Sequence, residues 1–156
     1  MKKQYAVIIL LFLSIHLWAQ EENAYLKKYV LIAHSGKDYN SALGVAKKLS
    51  TKLKLKIDLR GLKPNDELGL SDSKKICEER FGSFPCYVSR AQFPDGQYLS
   101  IEFSDSYQDF AKGYYIVVVA QYQKQNTKLT SLLSKTKRIV PDAYIKQTAI
   151  YTGCMH

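Results

Sequence analysis

Two stretches of the chain, one starting at Tyr29 and one at Tyr114, change from the hydrophobic period of a strand to that of a helix and back. Tyr29-Val30-Leu31-Ile32-Ala33-His34 is a short apolar run rich in β-branched residues, the composition of a buried strand. Ser35-Gly36-Lys37 signals a turn, and Asp38 is suited to cap a helix because its carboxylate can accept from the free N–H groups of the first turn. Tyr39, Ala42, Leu43, Ala46, Leu49 and Leu53 then recur at spacings of three and four, the stripe of a helix packed on a sheet. From Leu53 to Arg60 the period becomes two. Leu53, Leu55, Ile57 and Leu59 face one way, and Lys54, Lys56, Asp58 and Arg60 the other, which predicts a half-buried strand with one wet face. Gly61 and Pro64 close the unit.

The second unit repeats the order. Tyr114-Tyr115-Ile116-Val117-Val118-Val119-Ala120 predicts a buried strand, and Asn126 or Thr127 caps a helix with Leu129, Leu132 and Leu133 on its inner side. Pro141 stops that helix, and Ala143–Tyr151 predicts the closing strand. Two strand–helix–strand units pack as one sheet with both helices on one face. The expected fold is therefore α+β, a ferredoxin-like sandwich. Between the units lies an insertion, 65–112. It begins loop-like and carries two predicted strands, Tyr87–Ala91 and Tyr98–Phe103, joined at Pro94-Asp95-Gly96. Ser104 or Asp105 is placed to cap a short helix through Phe110.

The chain of 156 residues has room for one compact domain. With 46% hydrophobic and 24% charged residues it is ordinary globular material, which excludes a disordered tail or a low-complexity linker. Residues 1–20 have the pattern of a secretory signal: Lys2 and Lys3, an apolar run from Ala6 to Leu13, and a cut after Ala19 or Gln20 before Glu21-Glu22. The run is short for a membrane span, so no stable span is expected after processing. The expected organisation is a signal peptide, 1–20, and a single domain, 21–156, made of βαβ 28–62, the insertion 65–112 and βαβ 113–152. The expected location is the bacterial periplasm or the cell exterior. In an oxidising compartment Cys77 and Cys86 are the natural disulfide partners, since a bridge over that short loop contributes about 2–3 kcal/mol through loop-closure entropy. Cys154 is then the odd thiol.

No catalytic set is visible. His34 and Ser35 are neighbours on a strand end and point to opposite sides, so they do not form a nucleophile–base pair. There is no Gly-x-Ser-x-Gly elbow and no Gly-rich phosphate loop. Glu78-Glu79 and Asp105/Asp109 have the bland reading of solvated acidic pairs. Cys154-x-His156 with His34 matches no zinc pattern. The expectation is a non-enzymatic protein with no cofactor and no metal. Signal removal deletes Lys2 and Lys3 and no acidic residue, leaving 21 basic and 14 acidic groups, a balance of +7 that favours anionic partners. Twelve tyrosines, many on predicted strands, add aromatic faces suited to stacking on sugars or to protein contacts.

The strand Tyr114–Ala120, the capped helix after it and Asp142-Ala143-Tyr144-Ile145, together with 29–60, resemble the SPOR (sporulation-related repeat) domain. That resemblance implies a ferredoxin-like fold whose sheet face binds peptidoglycan glycan strands. The candidate ligand-binding residues come from the surface chemistry and not from the resemblance: Lys54, Lys56 and Arg60 on the wet face of 54–60, with the strand tyrosines Tyr98 and Tyr144. The partner is peptidoglycan or, in the alternative, an acidic protein such as a secreted toxin or enzyme that this chain neutralises as an immunity protein. No nucleic acid partner is expected.

Overall fold

The computed structural model describes residues 25–151. The predicted signal peptide, Cys154 and His156 lie outside the described residues. The chain forms an α+β fold with a four-stranded antiparallel sheet and three helices: β1 (Tyr25–Gly36), α1 (Tyr39–Leu53), α2 (Lys74–Phe81), β2 (Gly96–Phe103), β3 (Tyr115–Tyr122), α3 (Thr127–Lys137) and β4 (Tyr144–Tyr151). The strand order is β2-β3-β1-β4. Among the described residues no helix is long and apolar enough to cross a membrane.

Local chemistry sets the helix starts. Both Asp38 carboxylate oxygens accept from α1, from the N–H groups of Asn40 (3.1 Å) and Ser41 (2.9 Å). Asn126 caps α3 by accepting from Leu129 N–H at 2.9 Å. The apolar stripes of α1 and α3 (Ala42, Ala46, Leu49, Leu129, Leu132) pack on Leu31, Ala33, Val117 and Val119 of the two central strands. Period-two alternation sends Val30, Ile32, Ile116 and Val118 to the opposite face, where they meet Ala91, Tyr107 and Phe110 in a second core. Both sides of the central strands are thus covered, which accounts for their nearly unbroken apolar sequence.

Four expectations are corrected. First, 53–60 is not a strand of the sheet. Lys54 leaves α1 in the left-handed conformation (φ 58°), and the segment touches the sheet through one parallel bridge, Ile57 to Leu99. Asp58 N–H donates to Leu99 O and Leu99 N–H to Lys56 O, both at 2.8 Å. Arg60 (φ 53°) and Gly61 (φ 71°) then turn the chain away. The alternation is still obeyed: Leu55, Ile57 and Leu59 pack toward the core while Lys54, Lys56 and Asp58 are exposed. Second, Tyr87–Ala91 is not a strand. It runs into a 3-10 turn, Arg90–Gln92, because the Arg90 N–H is bound by the Glu102 carboxylate and not by a neighbouring strand. Third, the predicted short helix after Phe103 is one 3-10 turn, Ser104–Ser106. Fourth, 74–81 is helical where a loop is predicted. Ser73 caps it, and Glu78 and Glu79 sit one turn after Lys74 and Lys75, with N–O distances of 3.7 and 4.0 Å. The consequence for topology is that the fourth strand, β2, comes from the insertion, pairing with β3 in the sheet.

Candidate functional site

The region of chemical interest lies at the β2 edge, where the 58–65 turn, the start of α2 and the Phe93–Tyr98 turn converge on Arg60. Arg60 lines three grooves, of about 470, 240 and 520 Å³. The largest is bounded by Asp58 and Arg60 on one wall and Phe93, Pro94, Gln97 and Tyr98 on the other. Phe93 is 45% exposed there, a large apolar ring offered to solvent beside charged and amide groups. A second groove is lined by Lys63, Lys74, Ile76 and Phe84, with Ile76 37% and Phe84 40% exposed.

A buried polar network holds this edge in place. Glu102 is fully buried on β2 and accepts from Ser100 Oγ (2.7 Å), Tyr107 Oη (2.8 Å) and the Arg90 N–H (2.9 Å). Arg60 approaches the same carboxylate at 3.9 Å and donates to Val88 O at 2.6 Å. Arg90, also fully buried, donates to the carbonyls of Tyr98, Gly96 and Val118 and lies over the Tyr98 ring at 3.4 Å from its centroid. Burial pulls the Arg90 guanidinium down from its ordinary value, and the Glu102 charge opposes that shift. Burial, then the adjacent Glu102, pushes the Tyr107 hydroxyl well above its ordinary value. Gln121 on β3 donates from its amide to Arg90 O (2.8 Å) and Phe93 O (3.1 Å), tying the turn under Phe93 to the sheet. Lys28 secures the other side through Phe93 O (2.9 Å) and Asp95 (3.1 Å). The Cys77–Cys86 disulfide, Cα–Cα 5.4 Å, joins α2 to the segment leading into Arg90.

The structure brings together two of the five predicted ligand residues, Arg60 and Tyr98. Arg60 does not share the wet row of Lys54 and Lys56, because its left-handed backbone turns the side chain in toward Glu102, leaving it 18% exposed. Tyr98 is half-buried with one face taken by Arg90. Lys54 and Lys56 are exposed, on the same side of their segment as Asp58 of the groove wall. Tyr144 is exposed on β4, the far edge of the sheet, three strand spacings or about 14 Å away. An open sheet face carrying all five does not exist, since Ala91, Tyr107 and Phe110 cover the face opposite the helices.

Sequence reasoning missed Phe93, Arg90, Glu102 and Tyr107. Glu102 left a trace, the one charged residue of its strand, but nothing in the chain order points to Arg90 as its neighbour. His34, half-buried at the end of β1, faces Ser41 of α1, with Nε2 and Oγ 3.4 Å apart. No third group orients this contact among the described residues. Nor do the described residues contain a cluster of three or more metal-ligating side chains. The chain matches no protein-family model, no curated protein and no solved structure. The site is therefore interpreted from its own geometry.

Proposed function

We propose that this protein is a non-enzymatic binding protein of the bacterial envelope, periplasmic or secreted, whose ligand is the glycan of peptidoglycan. The observation that carries the reading is the β2-edge groove. Phe93 supplies an apolar platform for the face of a sugar ring, while Asp58 and Gln97 offer hydrogen bonds to hydroxyls. Arg60 and nearby Lys56 supply charge for lactyl or peptide carboxylates. The strand order β2-β3-β1-β4, with α1 and α3 on one face, supports the ferredoxin-like and SPOR-like reading of the fold. The site differs from the expected open face: it is an edge groove walled by the insertion. Sedimentation with purified sacculi tests this. Wild-type protein is expected in the pellet, and Phe93→Ala is expected to weaken retention about tenfold, equivalent to ~1.4 kcal/mol. Unchanged sedimentation of Phe93→Ala overturns the groove, and wild-type protein left in the supernatant overturns the ligand.

A second reading, an immunity or inhibitor protein against a secreted toxin or enzyme, is favoured by exposed Ile76 and Phe84 beside Lys63 and Lys74 on the disulfide-braced segment. Stoichiometric co-purification of one protein that is lost on Phe84→Ser would support this reading over the first.

A further inference from the structure

The helix layer has a charge distribution of which the glycan reading uses only Lys56, at its margin. From Tyr39 to Ile57 the chain carries five lysines and no acidic residue, and from Lys124 to Pro141 four lysines, Arg138 and again no acidic residue. All ten cations are exposed. The two stretches contain α1 and α3, which pack on the same face of the sheet, and Lys48 Nζ donates to Ile139 O at 3.4 Å where the stretches meet. None of the four ion pairs among the described residues involves this layer. The acids nearest the layer flank it: Asp38, which caps α1, Asp58, on the side of Lys54 and Lys56, and Asp142. Like charges at i,i+4, as at Lys48 and Lys52, oppose helix formation, and here no acidic neighbour offsets them.

We propose that this layer is a membrane-facing surface that adsorbs electrostatically to a bilayer rich in anionic phospholipid. Six of the cations lie on the two adjacent helices and four on the segments that flank them, an array in two dimensions that fits a plane of phosphates better than a single linear polymer. Among the described residues, no large apolar or aromatic side chain of α1 or α3 is exposed, so the layer offers nothing for a base or a sugar ring to stack on. What it presents is ammonium and guanidinium groups, whose attraction to a lipid surface accumulates residue by residue. No insertion into the bilayer is involved.

The test is co-sedimentation of the full chain with vesicles of equimolar phosphatidylglycerol and phosphatidylcholine, against phosphatidylcholine alone. Two charge-matched variants accompany it: Lys48→Glu with Lys52→Glu in the layer, and Lys74→Glu with Lys75→Glu on α2. All three chains share residues 1–24, so any lipid affinity of that segment cancels. Circular dichroism confirms that each is folded. Binding to the anionic vesicles, loss in salt strong enough to shrink the screening length to about 3 Å, at least tenfold weakening in the layer variant and near-wild-type binding in the α2 variant are expected. Equal weakening by both variants, or binding that ignores lipid charge, overturns the proposal. So does binding to soluble polyphosphate without binding to vesicles. The layer variant is expected to sediment with sacculi as the wild type does, so failure here leaves the glycan reading standing.

Discussion

The carboxylate of Glu102 accepts the backbone N–H of Arg90 at 2.9 Å, and both residues are fully buried. This contact replaces the β-ladder bond that a strand at Tyr87–Ala91 would make. It turns the chain at Arg90 and carries Phe93 to the rim of the groove. A buried anion that accepts three hydrogen bonds, with a buried guanidinium nearby, is costly to break from one side. Glu102→Ala strands Arg90 and leaves Tyr107 Oη unpaired, and is expected to destabilise by about 3–5 kcal/mol. Urea denaturation followed by circular dichroism measures this. A loss under ~1 kcal/mol would place Glu102 among surface-like pairs.

Burial of Tyr107, reinforced by the same carboxylate, makes stability sensitive to alkali. The Tyr107 hydroxyl is raised in the folded protein, so it holds its proton where the unfolded chain has lost it. Its contribution is complete below the ordinary tyrosine value near 10 and declines as pH rises above it, by up to ~1.4 kcal/mol per pH unit. Tyr107→Phe is expected to be less stable at neutral pH and to show a shallower alkaline decline. Parallel slopes for the two proteins in a thermal-melt series above pH 10 would exclude Tyr107 as the sensor.

Replacing both Cys77 and Cys86 by Ser is expected to cost about 2–3 kcal/mol, the loop-closure contribution for a bridge of this span. Thermal melting of the wild type with and without reductant should show the same difference as the double variant. If the groove holds glycan as proposed, the variant should also sediment less with sacculi, because the bridge anchors α2 beside the grooves.

Gly69 is a packing constraint as well as a turn. Its φ is +65°, and a Cβ there would run into the Phe103 ring. It also exchanges two 2.8 Å backbone bonds with Asn65, which shape the groove wall after Arg60. Gly69→Ala is expected to destabilise by about 1–3 kcal/mol from backbone strain and overpacking together. A melting temperature equal to that of the wild type would show that the 65–69 turn is free to shift.

Much of this architecture is determined locally and can be found in the chain itself. Period three-to-four placed α1 and α3, Asp38 and Asn126 began them, and β-branched runs placed β1 and β3, because side-chain period and capping chemistry act within a few residues. The Cys77–Cys86 pairing was also available, since short loop closure favours it. The alternation at 53–60 correctly gave which residues face inward, but not whether the segment joins the sheet. That depended on whether β2 or 53–60 would occupy the edge of β3, a competition between partners far apart in the sequence. Tertiary structure alone decided the rest. It bound the N–H of Arg90 to a side chain, so a strand-like sequence became a turn. It folded Arg60 inward through one left-handed residue and set Tyr98 against Arg90. It also covered the sheet face with Tyr107 and Phe110, so that the candidate site became an edge groove around Phe93. These outcomes depend on buried charge finding compensation across the fold. Hydrophobic period carries no record of such long-range pairing.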